Sequence, residues 1–119
     1  MRLRTRLAAP AFILLVTFGA VARAAEPPVT RPLSVLFLGD RGHHRPADRH
    51  AQIAPVLAGR GIDVTYTEKM ADLNHDTLGK YDALLIYANT TRISKDQEKA
   101  LLDYVAGGGV LAATVEGFE

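Results

Sequence analysis

The sequence predicts one α/β domain, a parallel sheet with helices on both faces. Three observations predict it. Short, nearly continuous apolar runs recur along the chain, helix-like segments with their own start and stop signals separate them, and strand and helix alternate throughout. A length of 119 residues leaves room for a single domain.

The first strand is Leu33-Ser-Val-Leu-Phe-Leu-Gly39, whose near-continuous apolar character suits a strand covered on both faces. Residues Pro46 to Arg60 read as a helix, because proline fits a first turn and Gly61 fits a left-handed stop. Ile53, Val56 and Leu57 form its inward stripe, and the interior Pro55 predicts a kink. Ile62 to Thr67 alternates as a second strand, and Asn74 caps a short helix over His75 to Lys80. Ala83-Leu-Leu-Ile-Tyr-Ala88 is a third buried strand. Ser94, with Gln97 three residues later, makes a capping box for a helix carrying Leu101, Leu102 and Val105 on one face. That helix stops at Gly107-Gly108-Gly109, and Val110 to Val115 is the fourth strand.

Right-handed crossovers between these strands give a flavodoxin-like three-layer sandwich with strand order 2-1-3-4. In such sheets ligands sit beyond the carboxyl ends of the strands, where the order reverses. Two loops flank that point, Asp40 to Arg45 and Asn89 to Ile93, and they hold most of the unusual polar residues of the chain.

Residues 1–24 have a different character. Arg2, Arg4 and Arg6 precede an apolar run from Ala8 to Ala22, and Ala22-Arg23-Ala24 supplies the small residues a signal peptidase needs. The reading is a signal peptide cleaved near Ala24-Ala25, hence a secreted or periplasmic protein with no stable membrane insertion after cleavage. A retained anchor is the alternative, but about 15 apolar residues fall short of the ~20 that span a bilayer. Residues 25–32 form a proline-rich linker, and 33–119 form the domain.

Composition excludes several chemistries. With no cysteine there is no disulfide, thiolate nucleophile or cysteine zinc site. The formal charge is +1, yet residues 25–119 hold 10 bases and 13 acids, which gives no footprint for nucleic acid. Gly39-x-x-Gly42 is neither a dinucleotide fingerprint nor a P-loop, and neither a Gly-x-Ser-x-Gly elbow nor a His-Glu-x-x-His zinc motif occurs. Asn89 stands where a receiver domain needs a phosphorylatable aspartate. No cofactor and no metal is therefore assigned.

The first loop, Gly39-Asp40-Arg41-Gly42-His43-His44-Arg45-Pro46, offers proton-transfer groups near neutral pH in His43 and His44. Adjacent histidines point apart, so the two do not share one atom of a ligand. A plain polar turn leading into a helix is the competing reading. In the second loop, Asn89, Thr90 and Arg92 offer an amide, a hydroxyl and a guanidinium for sugar hydroxyls, a carboxylate or a phosphate. His50 and His75 lie in helical stretches away from that edge.

The run Val35-Leu-Phe-Leu-Gly-Asp-Arg-Gly-His-His-Arg-Pro46 resembles the opening of the trehalose-utilisation, or ThuA-like, domain. Ala54-Pro-Val-Leu-Ala-Gly-Arg-Gly-Ile-Asp63, Tyr81-Asp-Ala-Leu-Leu-Ile-Tyr-Ala-Asn89 and Gln97 to Gly109 continue the resemblance in order, over about residues 33–110. It implies the fold of the class I glutamine amidotransferase-like superfamily and a link to disaccharide or ketosugar metabolism. His43 and His44 match the loop histidines of that family, and Asn89 lies in its second polar loop. The resemblance also implies a longer domain, with a histidine after the fourth strand where Thr114 stands here. The chain therefore reads as the N-terminal half of such a domain, a truncated product.

The expected assignment follows. His44, His43 and Asp40 are candidate catalytic residues; Gly42, Asn89, Thr90 and Arg92 are candidate ligand contacts. The partner is a small carbohydrate, and the oligomeric state is open. A non-catalytic sugar-binding or interaction module and an inactive fragment are the competing readings.

Overall fold

A computed structural model describes residues 31–114. The expected signal segment, most of the linker and residues 115–119 lie outside the described residues. The order of elements is β1 (Leu33–Gly39), α1 (Pro46–Ala58), β2 (Ile62–Thr67), a 3-10 turn (Met70–Asp72), α2 (His75–Leu78), β3 (Ala83–Tyr87), α3 (Lys95–Ala106) and β4 (Val110–Ala113). The four strands form one sheet in the order β2-β1-β3-β4, every pair parallel. This is the α/β flavodoxin-like arrangement that the sequence predicts.

β1 sits between two neighbours, with Leu36 opposite Thr65 on one side and Leu84 on the other. Its side chains alternate between two packed layers, which is why the run is apolar at both parities. Leu36 and Leu38 join Leu73, Leu78, Leu84 and Ala100 in the core beneath α2 and α3. Phe37 points to the other face and meets the rings of His50, Tyr66 and Tyr87.

The helix ends follow their sequence signals, but the expected apolar stripes do not hold throughout: Val56 of α1 and Leu102 and Val105 of α3 are exposed. Ser94 Oγ accepts the Gln97 N–H at 3.1 Å while Gln97 Oε1 accepts the Ser94 N–H at 2.8 Å, completing the capping box. The same Gln97 donates its Nε2–H to the Met70 carbonyl at 2.9 Å and ties α3 to the 3-10 turn. Asn74 caps α2 by accepting the Thr77 N–H at 2.8 Å. α1 ends at Ala58, two residues before the expected Arg60, and Gly61 supplies the left-handed backbone (φ 76°) that turns the chain into β2. Pro55 does not end the helix. It lies in the last turn of α1, and its carbonyl still accepts the Gly59 N–H at 3.2 Å.

Helix cover is uneven. α1 packs chiefly over β2, and α3 reaches β4 from the opposite face. On the α1 side, Leu85, Tyr87 and Thr114 therefore border an open apolar cleft of about 230 Å³. At β4, Val110 and Leu111 are 60% and 42% exposed. No helix among the described residues is long and apolar enough to cross a membrane.

Candidate functional site

Asp40 follows directly on β1, at the carboxyl edge of the central strand, and its carboxylate joins the two loops. One oxygen, Oδ1, accepts the Gly42 N–H at 2.8 Å. The other, Oδ2, accepts the Asn89 N–H at 2.7 Å across 49 residues of sequence. His44 Nε2 lies 3.1 Å from Oδ1. Burial acts to raise the Asp40 carboxyl, but the Asn89 and Gly42 amides, with the imidazoles of His44 and His43, outweigh it and hold the group below its ordinary value. Asp40 is thus an anion at neutral pH whose oxygens are fixed by backbone donors.

The two histidines face opposite ways, as their adjacency implies. The His44 side chain is 1% exposed, and its ring meets Tyr87 edge-on at 4.8 Å between centroids. His43 is exposed, its ring nearly perpendicular to that of His44 at 6.0 Å. Gly42 is what lets the loop close over His44: a Cβ there would stand 2.5 Å from His44 Cε1 and 2.9 Å from Asp40 Oδ1. The turn Arg45 N–H to Gly42 carbonyl (3.1 Å) completes the wrap. Arg45 then adopts a left-handed conformation (φ 55°, ψ 63°), which disfavours a residue with a Cβ, before Pro46 opens α1.

The second loop takes part through its backbone. Asn89 contributes an N–H, while its side chain, like those of Thr90 and Arg92, is on exposed chain. The Thr90 hydroxyl points to Met70 Sδ at 3.7 Å, towards the 3-10 turn. Arg92 has no ion-pair partner among the described residues. The expected juxtaposition of the two loops is present, then, and Asp40 is its hinge.

Sequence reasoning passed over the end of β2. The Tyr66 hydroxyl donates to Glu68 Oε1 at 3.1 Å, and Glu68 Oε2 pairs with Arg41 Nε at 2.9 Å. Burial, then the Glu68 carboxylate, push the Tyr66 phenol up to about 12, so it remains a donor. Arg41 and Tyr66 hold Glu68 below the usual carboxylate range. His50 supports this wall from behind, stacking on Tyr66 at 5.3 Å with its Nε2 3.0 Å from the Val64 carbonyl, so its role is structural. The signal for these residues was available: β2 pairs with β1, so its carboxyl end must lie beside Asp40. A cleft of about 650 Å³ opens there, with Asp40, Arg41, Tyr66 and Glu68 among its lining residues. His75 lies elsewhere, paired with Asp103 at 2.7 Å between α2 and α3. Among the described residues no three His, Cys, Asp or Glu side chains are grouped as metal ligands would be.

No family model matches the chain, and no curated protein matches it by sequence. Among solved structures it is similar to a crystal structure from Bacteroides uniformis ATCC 8492 that carries the name ThuA-like protein, with TM-score 0.58 and 17% identity. The match covers 80% of this chain and 39% of that one, so the chain spans less than half the length of that structure. The resemblance read from the sequence is matched by the three-dimensional arrangement: this chain shares the fold of a ThuA-like protein, over somewhat more than a third of that protein's length.

Proposed function

We propose that the rim formed by the Asp40–Arg45 and Asn89–Ile93 loops binds a small carbohydrate and serves extracytoplasmic disaccharide or ketosugar metabolism. One observation carries this reading. A single carboxylate, Asp40, accepts backbone N–H groups from both loops and contacts His44, so the two polar loops are one bonded unit at the switch point of the sheet. In this reading His43, exposed beside the Asp40 carboxylate, is the general acid or base at a sugar carbonyl or hydroxyl, the role in proton transfer that imidazole side chains fill most often. Buried His44 orients Asp40. Asn89, Thr90 and Arg92 hold sugar hydroxyls, and Gly42 lets the loop close over His44 and Asp40.

The test compares the full chain with His43→Ala and Asp40→Asn, following both turnover and calorimetric binding of ketoglycosides. Proton transfer by His43 predicts retained binding with turnover reduced at least about 100-fold. Equal turnover in all three proteins removes the catalytic assignment. The burial of His44 favours one alternative, a sugar-binding module without chemistry. It predicts binding with no product from any variant, and a binding loss for Asp40→Asn larger than for His43→Ala.

A further inference from the structure

The cleft beside Asp40 does not stop at the loops. It runs down the α2 side of β2 past Thr67 and Thr65 to Tyr81. Thr65 and Thr67 lie on the strand face opposite Tyr66, and α2, with only four residues, is too short to cover them. Along β1 the groove extends from Asp40 to the level of Leu36, a distance of about 13 Å at ~3.3 Å per residue. Its volume of about 650 Å³ lies within the range of small-molecule sites.

The wall chemistry narrows the ligand. Asp40, Glu68 and Asp72 set three carboxylates against the cations of Arg41 and Lys69, and the Arg41 guanidinium is already engaged by Glu68. A phosphate would meet net negative charge. A neutral polyol would meet fixed donors and acceptors: the Thr67 hydroxyl is held by Asp72 at 2.5 Å and accepts the Lys69 N–H at 3.1 Å, while Thr65 and Lys69 face solvent. Tyr81, an aromatic residue of the kind that packs on the C–H face of a sugar, borders the far end of the groove.

We infer that this groove along β2 is a second-ring subsite, which holds the non-reacting ring of a neutral disaccharide whose other ring reaches Asp40 and His43. The inference rests on the carbohydrate reading of the loop rim and adds Thr65, Thr67, Glu68, Lys69 and Tyr81 as residues that set ligand length and charge.

The experiment uses nitrogen-labelled full chain, with backbone amide shifts followed during titration by sucrose or trehalose, by fructose or glucose, and by a hexose phosphate. Disaccharides are expected to move the amides of residues 65–69 together with those of residues 42–44 and 89–92, whereas monosaccharides move the loop amides alone. The hexose phosphate binds no better than its parent sugar. The paired change Thr65→Val and Lys69→Met, on exposed side chains, weakens disaccharide binding about tenfold, the equivalent of one or two lost hydrogen bonds, and leaves monosaccharide binding unchanged. If both sugar sizes move only the loops with equal affinity, the β2 subsite is wrong while the carbohydrate reading stands. If no sugar moves any amide, that reading fails and the subsite falls with it.

Discussion

β1 and β4 are both short apolar strands of the same parallel sheet, but their surroundings differ sharply. β1 has a strand on each side and packed layers on both faces, and Leu36, Phe37 and Leu38 are each no more than 2% exposed. Among the described residues β4 pairs on one side, with β3, and all of its residues are exposed. An apolar sequence marks a strand that is able to be buried; neighbours decide whether it is. The same contrast separates the carboxyl ends of the two strands, since Asp40 after β1 is bonded to both loops whereas Thr114 after β4 is exposed.

Truncating one leucine in each strand gives the largest effect and tests that contrast directly. Leu38→Ala removes side-chain volume from a layer shared with Leu73, Leu84 and Ala100 and should cost about 2–5 kcal/mol in urea unfolding. Leu111→Ala, on an exposed strand, should cost under about 1 kcal/mol. Equal losses would mean that β4 is buried in solution by something other than the described residues. The next largest effect is at Gly42. Gly42→Ala must displace the His44 ring or reopen the turn, at about 1–3 kcal/mol, and Tyr87 ring resonances should shift with it.

Asp40→Asn comes third and carries a pH signature. The folded-state carboxyl lies below its ordinary value of 3.8, so its contribution is fully present above that value and fades as pH falls towards the folded value. The Asn variant should be about 1–2 kcal/mol less stable at neutral pH, and this deficit should shrink on acidification below pH ~4, as thermal melts across the acid range would show. A deficit independent of pH would mean that shape at position 40, not charge, holds the loops together.

The sequence revealed most of what local chemistry decides. Pro46, Asn74 and the Ser94–Gln97 pair mark helix ends through groups that bond within a few residues, and each is found in its expected role, whereas Gly61 has the expected left-handed backbone but follows a helix already capped at Gly59. The meeting of the two loops was legible too, because topology follows from the order of strands. Which histidine turns inward was not: His43 and His44 are neighbours in one turn, and their fates depend on the Tyr87 ring of another strand. Glu68 and Tyr66 escaped notice because their position comes from the β1–β2 register rather than from any local motif. The 3-10 turn at Met70–Asp72 spans too few residues to show a period.

The smallest effect concerns the strain at Arg45. A left-handed conformation costs an ordinary residue about 1–2 kcal/mol, and glycine avoids most of that while losing more chain entropy on folding. Arg45→Gly also gives up an exposed pair with Asp48, which contributes little. The balance is a gain of roughly 0.5 kcal/mol in urea unfolding. Position 45 joins the closed end of the site to α1, so a gain would show that the loop holds this backbone against its own preference in order to keep His44 beneath Gly42. A loss would show instead that the Arg45 side chain contributes more than its exposure suggests, and that the enclosed half of the molecule owes part of its order to a contact on its surface.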